Sequence, residues 1–332
     1  MKAICVTAER NLEIRDVPFP EAPPSPGHVF VDIDSATITH GDKFFLTRPL
    51  PGGSAPSAGP AVYGANASGR VTAIGNGVPT EYLGRQVAIY KSLARSPDSL
   101  GVWCEMAQLP YSTCLMLPDE LRARDYCGSF ANVLTVYAFL SEIRAAGHKG
   151  IVVTAGTSAT GLIAASLTQR FALSAIFLVR SAQAGERLMR HGVKHVLVTT
   201  ESHFENELCR KAAELEATAV FDGVGGDLLS RTVPNLPIDS TIYVYGFLGA
   251  ASPASFSTML LMGRNLTIRR FSNLESLTVK NPAQLAAASK AIEGLIHDPL
   301  FRTNIGKEFR FDEIDDAMSY ETSPGRRAIL VP

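Results

Sequence analysis

Three small residues have the spacing of a nucleotide-binding turn in VVTAGTSATGLIAA, residues 152–165. Gly156 and Gly161 are five residues apart, and Ser158 takes the place of a middle glycine. In a dinucleotide fingerprint the glycines allow a tight turn, a close approach of the pyrophosphate, and packing of a helix on a strand. Serine is also small, and its hydroxyl can bond a phosphate oxygen. The segment therefore predicts a pyrophosphate site, although a plain strand-to-helix turn would use the same residue types. Its residues are Gly156, Thr157, Ser158, Ala159, Thr160 and Gly161.

A second signal follows the turn at the end of the next apolar run. Enzymes that use NAD have an acidic residue there, roughly 20 residues beyond the turn, which binds the ribose 2′-hydroxyl. This chain has Arg180 and Ser181 instead, with no carboxylate until Glu186. A guanidinium and a hydroxyl suit a 2′-phosphate, and Arg187 can assist from the following helix. We therefore predict NADP(H) rather than NAD(H), the alternative being a solvated arginine at a strand end.

Alternating strands and helices surround the turn. Short apolar runs rich in β-branched residues predict strands at 150–156, 174–180, 195–200, 217–226, 240–249 and 265–271. Helical spacing predicts helices between them at 129–147, 160–172, 184–192 and 204–215. The first and third of these end at Gly147 and Gly192, and glycine is common at the ends of helices. The alternation predicts an α/β fold with a doubly wound parallel sheet.

Residues 1–120 have a different organisation, with short strands joined by loops. The segments 28–38, 68–78 and 85–90 predict strands, and the Pro/Gly/Ser-rich segment 48–60 predicts a long loop. Near the end of the chain, residues 282–298 predict an amphipathic helix, followed by a strand, a helix and a strand. The expected architecture is a β-rich domain, an inserted α/β domain, and a return to the first domain.

Length and composition exclude several classes of protein. A chain of 332 residues exceeds the size at which a single core stops growing, which predicts two domains. Its net charge is −1, so the basic excess of a nucleic-acid-binding protein is absent. The sequence has no stretch of 18 apolar residues, so we expect no helix that spans a membrane. The first residues lack the apolar core of a signal peptide, so we expect a soluble, cytoplasmic protein.

The cysteines and histidines do not predict a metal site. The five cysteines are an odd number without a C-x-x-C pair, which argues against a disulfide framework and a four-thiolate zinc site. A reducing compartment fits this pattern best. His191 and His195 are four residues apart, but Gly192 is expected to end the helix between them. The cysteines are Cys5, Cys104, Cys114, Cys127 and Cys209.

Over nearly its full length the chain resembles the medium-chain dehydrogenase/reductase superfamily, in its zinc-free quinone oxidoreductase and enoyl reductase branch. The motifs MKAICV, GRVTAIGNGV, LPDEL, LTVY, AGTSATG, FDGVGG and RRAILVP follow one another in the order of the family. The resemblance implies a GroES-like β-rich catalytic domain at 1–122 and 273–332. It also implies an inserted Rossmann domain at 123–272.

Differences from the zinc-containing members of the family indicate the branch. Those members have a cysteine where this chain has Thr39, and Gly-His-Glu where it has Gly64-Ala65-Asn66. The segment with four cysteines that binds a structural zinc ion in those members is also missing from this chain. We therefore predict no catalytic metal, and without a Lewis acid alcohol oxidation is disfavoured. The resemblance implies hydride transfer from NADPH to a quinone or an α,β-unsaturated carbonyl, an electrophilic small molecule.

The resemblance also suggests residues around the reacting atoms. Enoyl reductases have a tyrosine on a loop where this chain has Phe44 and Phe45. Tyr63 and Tyr90 are the alternative proton donors, although either can equally be a core tyrosine. The cofactor residues implied by the family are Asn132 and Thr135 near the nicotinamide, Thr199 near the adenosine phosphate, and Gly246, Phe247 and Leu248 in the loop over the nicotinamide.

Two other functions are alternatives to the reductase. A catalytically idle NADPH-binding protein with a sensor or structural role fits Ser158, Asn66 and the missing tyrosine. A short-chain dehydrogenase is discarded, because no tyrosine has a lysine four positions later. Family analogy also favours a homodimer.

Overall fold

The computed structural model describes residues 1–47, 61–94, 96, 101–249, 251–320 and 326–332. The chain divides into two compact units, Met1–Asn132 with Ser289–Pro332, and Val133–Ala288. Each unit has its own core of buried apolar side chains. The loop predicted at 48–60 lies outside the described residues.

The first unit consists mainly of strands. In chain order its elements are β1 (Lys2–Val6), β2 (Leu12–Asp16), β3 (His28–Thr37), α1 (His40–Thr47), β4 (Ala61–Val62), β5 (Asn66–Ile74), β6 (Gln86–Tyr90), β7 (Met106–Pro110) and β8 (Cys114–Leu117). Helix α2 (Ser129–Ala145) begins in this unit and continues into the second.

Strands and helices alternate in the second unit. They are β9 (Gly150–Val153), α3 (Ala159–Arg170), β10 (Ser174–Val179), α4 (Ala182–Met189), β11 (His195–Val198), α5 (Phe204–Glu214), β12 (Ala217–Asp222), α6 (Gly226–Thr232), β13 (Thr241–Val244), α7 (Thr258–Gly263), β14 (Thr267–Arg270), α8 (Leu277–Lys280) and α9 (Pro282–Glu293). The chain returns to the first unit within α9, at Ser289, and continues through β15 (Ile305–Arg310), α10 (Ile314–Ser319) and β16 (Arg327–Val331).

The second unit contains the predicted doubly wound sheet. In the described residues its order is β11-β10-β9-β12-β13-β14, and every pair is parallel. All four residues of β9 are buried, as expected for a short apolar strand covered on both faces. The chain runs outward from β9 in one direction and then crosses to β12, so the strand order reverses between β9 and β12. Ligands of such sheets bind outside the carboxyl ends of the strands at this point.

Two sheets make up the described part of the first unit. The larger has the order β15-β16-β3-β5-β6-β8, with β7 also paired to β3, and the smaller has the order β2-β1-β4. Along β3 the side chains of Asp32 and Asp34 are exposed while their neighbours are buried, which confirms the strand predicted from alternating polarity. The predicted α/β fold class, with a β-rich part and a parallel sheet, is confirmed.

Most element boundaries lie within a few residues of their predicted positions. Helix α2 ends before Gly147 and α4 ends before Gly192, and both glycines have a positive φ, 85° and 81°. Helix α9 ends at Glu293 rather than at residue 298, because the chain tightens after it, with Leu295 N–H donating to Ile292 O. None of the helices in the described ranges has the length and hydropathy needed to span a membrane.

Burial distinguishes one cysteine from the other four. All five are free thiols, and Cys209 on α5 is exposed while Cys5, Cys104, Cys114 and Cys127 are buried. Burial raises the pKa of Cys5, and it raises the pKa of Cys104, Cys114 and Cys127 to about 12. A thiol with a raised pKa is a poor nucleophile, so these four are structural core residues.

A tight contact in the first unit gives a stability prediction. Gly64 has a φ of 91°, and a Cβ at this position would lie 2.1 Å from Cδ1 of the fully buried Trp103. We expect Gly64→Ala to lower the free energy of unfolding by about 2–4 kcal/mol, because backbone strain and overpacking add. Gly77 is the matched control, since its φ is 80° and a Cβ there would meet nothing within 4 Å. Gly77→Ala should cost only about 1 kcal/mol in urea denaturation, and equal losses would contradict the packing argument.

Candidate cofactor site

The predicted turn joins β9 to α3 at the reversal point of the sheet. Ser158 caps α3, and its Oγ accepts a hydrogen bond from Gly161 N at 3.0 Å. A Cβ on Gly161 would lie 2.5 Å from the carbonyl oxygens of Ala155 and Gly156, so only glycine allows this close return of the helix. Ala155 has a φ of 51°, which is uncommon for a residue with a side chain. The turn is therefore compact, and it places the N-terminus of α3, where an anion is favoured, at this edge of the sheet.

A buried network joins the carboxyl ends of β9 and β12 beside this turn. Thr154 Oγ1 donates to Asp222 Oδ1 at 2.7 Å and accepts from Gly223 N at 2.8 Å. Asp222 also accepts from Val224 N at 3.2 Å and Gly225 N at 2.9 Å. Burial raises the pKa of Asp222, while these hydrogen bonds act in the opposite direction. The network fixes the start of the segment that follows β12.

The residues predicted to bind a 2′-phosphate follow β10, next to β9 in the sheet. Arg180 is exposed, and its carbonyl accepts from Thr200 Oγ1 at 3.3 Å. Ser181 caps α4, its Oγ accepting from Ala184 N at 3.3 Å, and Arg187 lies on the same helix. The structure therefore places a guanidinium and a hydroxyl at the strand end, as the sequence predicts.

Thr199 lies at the neighbouring strand end. It is buried after β11, and its backbone N donates to Val179 O at 2.8 Å. Its carbonyl accepts from Arg231 Nη1 at 2.8 Å. The ends of β9, β10 and β11 thus bring the turn, Arg180 and Thr199 to one edge of the sheet.

The loop after β13 is fastened to the segment after β12. Leu248 N donates to Gly223 O at 3.1 Å, and Gly249 N donates to Val224 O at 2.7 Å. A Cβ on Gly246 would lie 2.7 Å from Gly223 O, so this position also requires glycine. The predicted residues Gly246, Phe247 and Leu248 are therefore held at the same edge as the turn.

Sequence reasoning did not single out Tyr245, which begins this loop. Its ring stacks on Phe221, with centroids 3.9 Å apart and an interplanar angle of 19°. Its hydroxyl is hydrogen-bonded to the hydroxyls of Ser158 and Thr160. Burial is the main cause that raises the pKa of Tyr245, and the charge of Asp222 raises it further. A tyrosine at the end of an apolar strand resembles a core residue in sequence, so no local signal points to this contact.

Two more predicted residues lie on α2. Thr135 Oγ1 accepts from Nδ2 of the buried Asn273 at 2.8 Å, so Asn273 orients the threonine hydroxyl. Asn132 belongs to the first unit, and its Nδ2 donates to Gly128 O at 2.8 Å. Asn273 lies 138 residues from Thr135 along the chain, which explains why sequence reasoning missed the pair.

The candidate proton donors lie in the first unit. The Tyr63 hydroxyl donates to the backbone carbonyl of Asp42 at 2.8 Å, and burial raises the pKa of Tyr63 to about 12. Tyr90 is the last residue of β6, directly opposite Asn66 on β5. Asn66 is buried, and its Oδ1 has no hydrogen-bond partner among the described residues. The phenolic proton of Tyr63 is therefore already shared with the backbone.

Thr39, the residue at the position of the zinc-binding cysteine, is engaged in a local motif. Its backbone N donates to Asp42 Oδ2 at 2.7 Å, and its hydroxyl donates to the same oxygen. Asp42 is buried, and burial raises the pKa of its carboxyl group. The carboxylate thus fastens the start of α1 to the residue after β3.

Lys91 is a further residue that the sequence did not indicate. It follows Tyr90, and its backbone N donates to Ala65 O at 2.9 Å. Its side chain is half-buried, and burial lowers its pKa. It forms no ion pair with any acidic residue that the structure describes. Lys91 therefore lies beside the Gly64-Ala65-Asn66 segment, and none of the described acidic residues pairs with it.

Comparison with known proteins identifies full-length relatives. No family model matches the chain. A quinone oxidoreductase of Salmonella typhimurium is 22% identical over 326 residues, which are 96% of this chain and 95% of that protein. The structure of Escherichia coli quinone oxidoreductase complexed with NADPH has a TM-score of 0.77 and 20% identity, with all of both chains covered. A 2-haloacrylate reductase has a TM-score of 0.77 and 18% identity, covering 100% of this chain and 99% of its own. At these identities the two structures establish the fold.

Proposed function

We propose that this protein is an NADPH-dependent oxidoreductase, because its similarity to quinone oxidoreductases supports the resemblance to that branch of the medium-chain dehydrogenase/reductase superfamily. It delivers hydride to a quinone or an α,β-unsaturated carbonyl without zinc. The observation that carries the proposal is the glycine-bounded turn capping α3 at the reversal point of a parallel sheet. The NADPH complex of the Escherichia coli relative supports the choice of cofactor.

The residues of the second unit fit NADP(H). The turn from Gly156 to Gly161 would hold the pyrophosphate against the N–H groups and positive dipole of α3. Arg180, Ser181 and Arg187 would bind the 2′-phosphate, with Thr199 near the adenosine phosphate. Gly246, Phe247, Leu248 and Thr135 would surround the nicotinamide. When bound, the cofactor supplies the hydride, and the protein supplies position and electrostatics.

The acceptor also needs a proton. Reduction adds one hydride and one proton to the acceptor, either across a C=C bond or to a quinone that becomes a hydroquinone. The proton comes from a side chain or from water. Tyr63, whose hydroxyl donates to the Asp42 carbonyl, and Tyr90 are the two candidate side-chain donors.

Turnover separates this proposal from a catalytically idle protein. We expect the purified protein to oxidise NADPH, followed by absorbance at 340 nm, with members of a panel of quinones, enals and enoyl thioesters. We expect the rate with enals to fall in whichever of Tyr63→Phe and Tyr90→Phe removes the proton donor. Tight NADPH binding without turnover of any acceptor would instead support the sensor or structural alternative.

Cofactor preference tests the role of Arg180. We expect Arg180→Asp to raise the Kd of NADPH about 10- to 100-fold, because a charged hydrogen bond to the 2′-phosphate is replaced by repulsion. The Kd of NADH should change less than about twofold, since NADH has a 2′-hydroxyl. Arg190→Asp makes the same charge change at the end of α4 and should leave both constants nearly unchanged. Equal weakening of NADPH and NADH by Arg180→Asp would show that Arg180 does not bind the 2′-phosphate.

The edge of the parallel sheet supports the homodimer as a further proposal. All four residues of β14 are exposed, and Met259 and Met262 on the preceding α7 are 78% and 87% exposed. An exposed strand edge beside apolar side chains is suited to pairing with a second copy. We expect Met262→Lys to weaken dimerisation about tenfold or more in sedimentation, by placing a charge in the interface. Met189→Lys, at a position 55% exposed on α4, is the control that should leave the dimer intact.

A further inference from the structure

We infer that Tyr245 is a positioning residue that joins the two loops of the cofactor site. Its hydroxyl keeps the pyrophosphate turn, residues 156–161, at a fixed position relative to the nicotinamide loop, residues 246–248. The inference rests on the proposed function, because it assigns the two loops to the two halves of NADPH.

The ring of Tyr245 is closely packed. It stacks on Phe221, and Phe221 stacks in turn on Phe139 at 4.2 Å with an interplanar angle of 20°. In addition, a Cβ at position 223 would lie 2.6 Å from the Tyr245 hydroxyl oxygen. Gly223 therefore leaves the space that the phenol occupies, and the stack directs the hydroxyl toward the turn.

The hydroxyl meets the turn at the residue that departs from the glycine fingerprint. Ser158 Oγ has two lone pairs, and the N–H of Gly161 uses one of them at 3.0 Å. The phenol can donate to the second lone pair or to the hydroxyl of Thr160, and both hydroxyls are its hydrogen-bond partners. A glycine at position 158 would make neither contact. Serine at position 158 therefore provides a hydrogen-bond partner for the Tyr245 hydroxyl.

The backbone of Tyr245 is attached to the other half of the site. Its N–H donates to Asp222 O at 2.9 Å, and the following loop is bonded to Gly223 and Val224 through Leu248 N and Gly249 N. The side chain thus connects to the turn, while the main chain connects to the loop that follows β12 and β13. Loss of the hydroxyl should let the two loops move independently without disturbing the aromatic stack.

Tyr245→Phe tests this inference, because it removes only the hydroxyl. We expect its Kd for NADPH, measured by calorimetry, to rise about 5- to 10-fold, as for the loss of one hydrogen bond. Adenosine 2′-monophosphate does not reach either loop, so its Kd should stay within about twofold. Tyr243→Phe is the matched control, since it removes a phenolic hydroxyl from β13, the strand directly before Tyr245, and it should leave both constants unchanged.

A double-mutant cycle identifies the partner. If the hydroxyl acts through the turn, Ser158→Gly or Thr160→Val combined with Tyr245→Phe should cost less than the sum of the single variants. These two single variants also test the contact if Tyr245→Phe does not fold, and each should weaken NADPH more than adenosine 2′-monophosphate.

The outcomes distinguish the inference from the proposed function. Wild-type affinity for NADPH in Tyr245→Phe, or equal weakening of both ligands, overturns the positioning role alone. Failure of the wild-type protein to bind NADPH overturns the proposed function and this inference with it.

Discussion

The second unit depends on a buried hydrogen bond between the hydroxyl of Thr154 and the carboxylate of Asp222. The bond joins the ends of the two strands between which the order of the sheet reverses. Both groups are inaccessible to water, so losing either partner would leave a buried polar group unsatisfied, at a cost of roughly 1–3 kcal/mol or more. The same carboxylate accepts from the backbone after β12, which in turn holds the loop after β13. This pair therefore holds the segments after β9, β12 and β13 together at the edge of the sheet.

Local sequence was sufficient to predict the parts of this site that are formed by neighbouring residues. The spacing of Gly156 and Gly161 predicted the turn because the steric need for glycine arises within six residues. Arg180 and Ser181 were predicted because the end of an apolar run marks the end of a strand. The alternation of short apolar runs and helical segments predicted the parallel sheet, because each of these segments is recognised from neighbouring residues alone.

Contacts between distant residues were not predictable in this way. Tyr245 reaches Ser158 across 87 residues only because β12 and β13 pair in one register. Asn273 meets Thr135 across 138 residues, and neither has a neighbouring residue that indicates the pair. Ser158 was expected to serve a phosphate, and the structure shows that its oxygen also caps a helix. The roles assigned to individual residues at the cofactor remain predictions.

Burial of the thiols has a practical consequence. Four cysteines are enclosed in the protein, and burial raises their pKa values, so electrophilic reagents have access mainly to the exposed Cys209. This residue lies on the exposed surface of α5, between β11 and β12 in the chain. A fluorophore or spin label can therefore be attached at one known position without any substitution. The wild-type chain itself is thus suitable for site-specific labelling and spectroscopy.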